Sequence, residues 1–330
     1  MHGIARAKAG INIALVKYWG KRDSKDNLPA VGSLSLTLSP WGTDTTVHWC
    51  SDLDADVFTL NDEVYTDQKV LKVLNYLRQL SGVQLYAKIT SQNSVPTAAG
   101  LASSASGMAA LSYAAWVALE RALGTSLPSQ PYAIDLPIDL INAVRIGSGS
   151  APRSLLGGFV RLNRDGKTLQ QLCPETDWSV SLVVAVVNQG PKEISSRVGM
   201  ERTRTSSPYY SAWVESHEAD LDEATAAIES RDLDRLGTVM EHSTFKMHAC
   251  MWASKSPLRY IKGISLDLID EVIALRSEGY SAWVTMDAGP HVKILCSNHD
   301  AQRVATRIKA HPKVLRCLIL SPGQGIHLCD

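Results

Sequence analysis

The order of strand-like and helix-like segments is the feature that most constrains the fold of this chain. In the first third, residues 11–16, 33–38, 43–49 and 83–90 have the alternation or the apolar continuity of β-strands, and residues 58–65 resemble a hairpin. Helices and strands do not follow one another in simple βαβ alternation. The sequence therefore predicts an α+β fold with mostly antiparallel sheets and not a doubly wound parallel sheet.

Helical periodicity is clearest between residues 70 and 80, where apolar residues recur at i, i+3, i+4 and i+7. Gly82 follows where a helix C-cap is expected. Further predicted elements are helices over 104–122, 138–146 and 301–310, helical segments within 193–278, and strands at 157–163, 282–286, 292–296 and 314–320.

The pattern breaks near residues 173–178, where Pro174 stands among polar residues, before a fully apolar strand at 181–187. We place a domain boundary at this break. The prediction is an N-terminal domain of residues 1–178 and a C-terminal domain of residues 179–330.

Charge and cysteine usage exclude several functional classes. The 330 residues carry 33 Lys and Arg against 33 Asp and Glu, so no long-range positive field would gather nucleic acid or an anionic membrane. The longest apolar-looking run, 108–119, is shorter than the ~20 residues of a membrane span. No signal peptide is recognisable, and the six cysteines show neither CxxC nor metal-ligand spacing. We expect a cytoplasmic protein with reduced thiols, which binds any anionic ligand through a local cluster.

A loop of small residues, 96–107 with sequence PTAAGLASSASG, runs from a predicted strand into a predicted helix. Such residues let backbone N–H groups approach an anion, and the start of a helix adds partial positive charge, so the loop suits a polyphosphate. It is not a Walker A loop, because GxxxxGK[ST] is absent and the loop has no lysine. A tightly packed helix start is the equally open alternative.

A second loop, residues 147–154, combines glycines and hydroxyls with Arg153, whose guanidinium can bind a carboxylate or phosphate through two hydrogen bonds. The alternative is a polar connecting loop. Lys17 ends an apolar run and opens the basic and aromatic segment 17–22, which suggests a charge directed into a cavity. Arg197 follows two serines, although most cations in such clusters face solvent.

Asp287 stands at the end of a predicted buried strand and is followed by Ala-Gly-Pro. An acid in this position often only caps a turn. Two candidate anion loops and several separated cations in one neutral chain favour a second interpretation. In that interpretation a single carboxylate among cations completes a phosphoryl-transfer site.

Six motifs, in order and at similar separations, resemble the diphosphomevalonate decarboxylases of the GHMP kinase superfamily. They are VKYWGKRD, PTAAGLASSASG, RIGSGSAPRSLLGGF, SSRVGM, MHACMWASKSP and MDAGP, and the resemblance covers nearly the whole chain. It implies an N-terminal α+β domain, a ferredoxin-like C-terminal domain and an active site in the cleft between them. It also implies a homodimer.

The implied activity is the ATP-dependent decarboxylation of mevalonate 5-diphosphate to isopentenyl diphosphate, ADP, phosphate and CO₂, a step of isoprenoid biosynthesis. Mg²⁺ is expected with ATP, but no Asp/Glu pair identifies itself as its ligand. Two alternatives are a kinase of the same fold that does not decarboxylate and a decarboxylase of a mevalonate bisphosphate. A third is a binding or regulatory protein that has lost the chemistry.

The resemblance also assigns roles to residues. Asp287 matches the catalytic aspartate that contacts the 3-hydroxyl and serves as its base or orienting acceptor. Lys17 matches the lysine that accompanies it, and Arg153 matches the arginine that binds the substrate carboxylate. Positions that match the diphosphate pocket are Tyr18, Lys21, Ser148, Gly149, Ser150, Ser196 and Arg197. Positions that match the loop for the ATP phosphates are Gly100, Leu101, Ala102, Ser103, Ser104, Ser106 and Gly107.

The chain departs from the family pattern at three places. Val31-Gly32 stands where relatives usually have Asn-Ser, Pro152 replaces a less rigid residue, and the segment 189–192 has fewer lysines than is usual. The first departure would alter the shape of the pocket, and the last weakens the case for a lysine that closes over ATP.

Overall fold

The computed structural model of the protein describes residues 2–94, 103–124, 136–188 and 194–329. Its strands are β1 His2–Val16, β2 Lys21–Asp23, β3 Leu28–Pro29, β4 Ser33–Cys50, β5 Val57–Leu60, β6 Glu63–Tyr65, β7 Tyr86–Asn93, β8 Phe159–Leu162, β9 Leu169–Cys173, β10 Val180–Val186, β11 Ala282–Thr285, β12 Val292–Ser297, β13 Arg316–Pro322 and β14 His327–Cys329. Its α-helices are α1 Gln68–Ser81, α2 Ser103–Leu123, α3 Ile138–Gly147, α4 Ser196–Ser206, α5 Tyr210–Glu215, α6 His217–Glu229, α7 Leu233–Trp252, α8 Gly263–Ser277 and α9 Ala301–Lys309, with a 3₁₀ turn at Ala151–Leu155.

Two long strands, β1 and β4, form the centre of the fold. They pair antiparallel along nearly their whole length, from His2 opposite Cys50 to Val16 opposite Leu34. β4 also pairs antiparallel with β7, β8 and β13. Among the described strands, the parallel pair is β5 with β7. The predicted α+β fold with mostly antiparallel sheets is therefore confirmed.

Helix α2 packs on β1 and β4 through very small residues. A Cβ on Gly3 would lie 2.0 Å from the carbonyl oxygen of Ala118, so the helix backbone approaches the strand closely. Buried alanines of β1 and α2 form a core with Trp49, whose indole N–H donates to the carbonyl of Ala115 at 2.9 Å. This contact fixes α2, and with it the end of the helix that faces the cleft described below.

The second half of the chain forms a sheet in the order β11, β12, β10, β13, with antiparallel pairing throughout. Helices α8 and α9 pack on one face, and α6 and α7 contribute to the apolar core on the other. β13 then pairs with β4 at Ser321 and Ser39, which joins this sheet to the first. The junction brings the end of β11 next to the end of β1.

The structure corrects three details of the strand prediction. Residues 33–38 and 43–49 belong to one strand, β4, because a register shift opposite Gly10 accommodates residues 39–41 without ending the pairing. β1 begins at His2 and not at residue 11; the sequence analysis missed its first half because the buried residues there are Gly3 and alanines, which give a weak strand signal. β9 was missed because its short sequence, LQQLC, shows no apolar and polar alternation.

The predicted C-cap of the first helix is confirmed. Asp67 accepts a hydrogen bond from the backbone N–H of Lys69 at the start of α1, and Gly82 ends it with φ 72° and a 2.8 Å bond to the carbonyl of Arg78. None of the helices in the described residues is long and apolar enough to cross a membrane.

Gly82→Ala should lower the free energy of unfolding by about 1 kcal/mol, because only the left-handed backbone conformation opposes a side chain there. No atom lies within 4 Å of the added Cβ. Gly263→Ala is the matched control, since its Cβ also enters open space and its φ is not positive. Urea denaturation should show no decrease in the free energy of unfolding for Gly263→Ala. Equal losses in both variants would contradict the C-cap explanation.

Candidate active site

The site forms where β1 ends. Lys17, the residue after β1, has a side chain only 1% exposed. Its Nζ donates to the carbonyl of Ala14 at 2.8 Å and to Oδ1 of Asp287 at 2.8 Å. Its backbone N–H donates to Oγ of Ser243 on α7 at 3.0 Å. The charge that ends the apolar run is thus fixed among three elements and faces a carboxylate.

Asp287 lies two residues after β11 and is bound on both carboxylate oxygens. Oδ1 accepts from Lys17, and Oδ2 accepts from Nζ of Lys293 at 2.8 Å. Among the described residues, its carboxylate is bound by these ammonium groups and not by the backbone N–H groups of a turn. The side chain is 30% exposed, so part of it faces the cleft. The geometry does not support the turn-capping interpretation.

Lys293 is the residue of this cluster that the sequence analysis missed. It is the second residue of β12, and its side chain is 2% exposed. The sequence did contain a signal for it. Lys293 is a lysine within the apolar segment VKILC, just as Lys17 is a lysine at the end of an apolar run. A buried lysine requires a partner, so such a position predicts a carboxylate nearby.

The pKa values follow from burial and from this pairing. Burial lowers the pKa of Lys17 to about 8, although the charge of Asp287 opposes the shift. Burial alone would raise the pKa of Asp287, but the charges of Lys17 and Lys293 outweigh it and hold that pKa well below its ordinary value. Asp287 is therefore ionised at neutral pH.

Arg153 lies in the 3₁₀ turn and is buried, 2% exposed. Nη1 donates to Oγ of Ser33 at 2.6 Å, and Nη2 donates to Oδ1 of Asn12 at 3.1 Å. Nε is buried without a partner among the described residues. Burial lowers the pKa of Arg153 to about 10, so the guanidinium stays charged. A buried charge that is oriented by two neighbours and has an unused donor is suited to bind an anion.

A cleft of about 550 Å³ connects these groups. Among the described residues that line it, six are cationic and one, Asp287, is acidic. The residues from the sequence prediction that line it are Lys17, Tyr18, Lys21, Ser104, Ser148, Gly149, Ser150, Arg153, Ser196, Arg197 and Asp287. In a chain with no net charge, this local excess of positive charge suits a polyanionic ligand.

The glycine loop approaches an aromatic ring. A Cβ on Gly149 would lie 2.1 Å from the hydroxyl oxygen of Tyr18, so this position has room only for glycine. Tyr18 is partly buried, and the desolvation of its hydroxyl raises the pKa of that group. Lys21 contacts Oδ1 of Asn27 at 2.5 Å, and Asn27 donates to the backbone of α3. These contacts hold the first basic segment against the second loop.

The structure does not place every predicted phosphate-loop residue in the cleft. Ser104 lines it, but Ser106 is buried, and its hydroxyl lies 2.8 Å from the hydroxyl of Thr43. Residues two apart on a helix point in nearly opposite directions, so the assignment of Ser106 to the ATP phosphates stays a prediction that concerns its backbone and not its hydroxyl. Gly107 does not line the cleft either.

Other predicted positions cannot be compared with the cleft. Gly100, Leu101, Ala102 and the segment 189–192 lie outside the described residues, and Ser103 is described only as the first residue of α2. The structure also adds two cations that the sequence analysis did not single out. Lys69 and Lys72, one turn apart on α1, line the cleft.

The comparisons with known proteins cover both halves of the chain. Residues 9–173 match the family of diphosphomevalonate decarboxylase-like N-terminal domains, and residues 182–316 match the mevalonate 5-diphosphate decarboxylase C-terminal domain. The chain belongs to the diphosphomevalonate decarboxylase family. The family prediction from six motifs is confirmed.

Individual relatives agree with this family. The diphosphomevalonate decarboxylase mvd1 of Aspergillus fumigatus is 32% identical over 93% of this chain and 80% of its own length. The mevalonate diphosphate decarboxylase of Staphylococcus aureus has 36% identity and a TM-score of 0.89 over 100% of this chain and 99% of its own. A protein designated MDDEF, solved in complex with MVAPP, AMPPCP and magnesium, has 37% identity and a TM-score of 0.88 over 100% of both chains. The GHMP-type fold expected of a diphosphomevalonate decarboxylase is therefore confirmed.

The cationic cleft of this decarboxylase family member should bind anions less tightly as the pH rises through about 8. Burial lowers the pKa of Lys21 to about 8, and the charge of Arg197 contributes to this shift. The value is close to the pKa of Lys17. Both lysines lose their charge in the same range. We expect the affinity for sulfate, which stays a dianion, to fall between pH 7 and 9 in calorimetric titrations.

The variant Lys21→Met should bind sulfate more weakly at pH 7 and show a smaller fall with pH. Lys313→Met is the control, since Lys313 is exposed and lies outside the cleft lining. An affinity that does not change between pH 7 and 9 in the parent protein would show that neither lysine binds the anion.

Proposed function

We propose that this chain catalyses the ATP-dependent decarboxylation of mevalonate 5-diphosphate to isopentenyl diphosphate, with release of ADP, phosphate and CO₂. The single observation that carries the proposal is the ion-paired carboxylate of Asp287 at a cleft whose other charged lining residues are, within the described part of the chain, all cationic. Family membership supports the substrate and the reaction.

The chemistry requires two activations. A tertiary hydroxyl is a poor leaving group, and the substrate has no carbonyl placed to accept the electrons of a departing carboxylate. ATP therefore phosphorylates the 3-hydroxyl first. Loss of that phosphate develops positive charge at C3, and the electrons of the breaking C–CO₂ bond convert it into the alkene.

Asp287 orients the 3-hydroxyl by accepting its hydrogen bond. Since two ammonium groups stabilise its ionised form, the carboxylate holds the oxygen for attack on the γ-phosphorus of ATP. As the new O–P bond forms and the bond from the γ-phosphorus to ADP breaks, the carboxylate takes up the hydroxyl proton. Lys17 lies at 2.8 Å from Asp287 and lines the cleft, so its charge also stabilises the transferring phosphoryl group.

Arg153 binds the substrate carboxylate through the donors that Ser33 and Asn12 leave free. A fixed guanidinium holds the C–CO₂ bond in the orientation in which its electrons reach C3. The substrate diphosphate is assigned to a group of cleft residues. They are Tyr18, Lys21, Ser148, Gly149, Ser150, Ser196 and Arg197, and the proposal also includes Lys69 and Lys72 because they line the same cleft.

ATP is the co-substrate, and its phosphates are assigned to Ser104 and the backbone of the loop that enters α2. Mg²⁺ accompanies it. Among the described residues no group of three or more His, Cys, Asp or Glu side chains can hold a metal ion, and both oxygens of Asp287 are engaged. The donor set therefore fits Mg²⁺ held by phosphate oxygens, water and a hydroxyl such as that of Ser104, where it would neutralise phosphate charge.

The proposal includes two domains, residues 1–178 and 179–330, and a cytoplasmic homodimer. The separate family matches, which end at residue 173 and resume at residue 182, support the boundary. None of the six cysteines, all within the described residues, forms a disulfide bond, which supports a reducing compartment. The dimer rests on the family resemblance.

The function is tested by incubating the protein with ATP, Mg²⁺ and, separately, mevalonate, its 5-phosphate and its 5-diphosphate, while ADP and CO₂ are measured together. We expect the diphosphate alone to yield both products efficiently and in equal amounts. ADP without CO₂ would identify a kinase of the same fold. CO₂ from a mevalonate bisphosphate, with none from the diphosphate, would reassign the substrate.

A further inference from the structure

We propose that Lys293 is a positioning residue for this reaction: it holds the carboxylate of Asp287 in one orientation and in the ionised state through the oxygen that Lys17 does not bind. The inference rests on the proposed function, because it concerns how Asp287 is prepared for the 3-hydroxyl. It assigns a role to a residue that none of the six sequence motifs contains.

The position of Lys293 is set by the sheet. It pairs with Val184 of β10 on one side and with Thr285 of β11 on the other. Its neighbours on β12 are buried and apolar, and its side chain is 2% exposed. Because Thr285 precedes Asp287 by two residues, the register brings the ammonium to Oδ2 of Asp287 at 2.8 Å.

The burial of Lys293 argues against a purely structural role. Replacing a buried ion pair by apolar residues of similar volume is often neutral or stabilising, so packing alone does not require this lysine. Its partner Asp287 lines the cleft, whereas Lys293 does not. The lysine therefore acts on the reaction through Asp287 and not by contact with the substrate.

The charged groups around Asp287 come from four elements. Lys17 faces it from the end of β1, Lys293 from β12 and, farther away, Arg153 from the 3₁₀ turn. His248 lies near it on α7, but burial and the charge of Lys17 lower the pKa of that imidazole to about 4. His248 is thus neutral above that pH, and the two lysines are the close charges.

Without Lys293 two properties of Asp287 should change together. Oδ2 would lose its charged donor, so the carboxylate could rotate away from the direction in which it accepts the 3-hydroxyl. The burial of Asp287 opposes its ionisation, and without Lys293 only the charge of Lys17 would counteract this effect. The pKa of Asp287 would therefore rise. A protonated Asp287 cannot orient the hydroxyl as an anionic acceptor, and the loss of rate should therefore grow as the pH falls.

The test uses Lys293→Met, which keeps the length of the side chain and removes its charge. Lys246→Met is the matched control, because Lys246 pairs at 2.5 Å with another aspartate, Asp220, and lies outside the cleft lining. For each variant kcat is measured from pH 5 to 8 with saturating ATP and mevalonate 5-diphosphate and divided by the parent value at the same pH. Because the substrates ionise identically in both assays, the effect of their ionisation on kcat cancels in this ratio.

We expect the ratio for Lys293→Met to be lowered roughly tenfold to a hundredfold at neutral pH and to fall further toward pH 5. The ratio for Lys246→Met should stay close to one throughout. Lys293→Arg, which retains a charge, should show a ratio that does not change with pH. A ratio for Lys293→Met that is constant with pH, or a fall that Lys246→Met shares, would overturn the proposal.

If Lys293→Met does not fold, carboxyl ¹³C NMR of the parent protein decides, with Asp287→Asn used to assign the resonance. The Asp287 signal should remain that of a carboxylate down to pH 4, and titration near the ordinary aspartate value of about 3.9 or above would overturn the proposal. The NMR titration needs no turnover. If the proposed function itself were wrong, the parent protein would instead form no CO₂ from mevalonate 5-diphosphate.

Discussion

The carboxylate of Asp287, bound by two buried ammonium groups, is the interaction on which the rest of the site depends. A buried lysine is costly unless it is paired, and Lys17 and Lys293 share one carboxylate. Lys17 directly follows the first strand of the chain, whereas Asp287 follows β11 and Lys293 belongs to β12, near its end. The pairing of β13 with β4 and the contact of Ser243 with the backbone of Lys17 bring these distant segments together. The catalytic cluster is thus also an interaction between the two halves of the fold.

One carboxylate does not balance the positive charge of the described cleft residues. Arg153 is buried with an unused donor, and Lys21, Lys69 and Arg197 add charge farther out. The site therefore carries an excess of positive charge, which under the proposed function is neutralised by a substrate with a diphosphate and a carboxylate. In the proposed mechanism, binding and catalysis use the same charges: the groups that attract the substrate also stabilise the phosphoryl group during transfer and orient the carboxylate that leaves.

Much of this could be predicted from the sequence, for reasons that differ between residues. Lys17, Asp287 and Arg153 stand in motifs, so they were found directly. Lys293 stands in no motif, and its role arises from a strand register that the sequence does not reveal. A run of serines at a helix start does not show which hydroxyls face the cleft, and the hydroxyl of Ser106 contacts that of Thr43 instead. The strand β4 was divided in two because the bulge at residues 39–41 has the composition of a turn.

The most direct test of the account is a comparison of Asp287→Asn with Asp220→Asn, in which ADP and CO₂ formation and the binding of both substrates are measured. Asp220 is also a buried aspartate paired with a lysine, but it lies outside the cleft lining. Asp287→Asn should fold, bind ATP and mevalonate 5-diphosphate, and lose at least about 10²-fold in the formation of both products, whereas Asp220→Asn should retain activity. Turnover by Asp287→Asn within a fewfold of the parent rate would contradict the central role of this carboxylate.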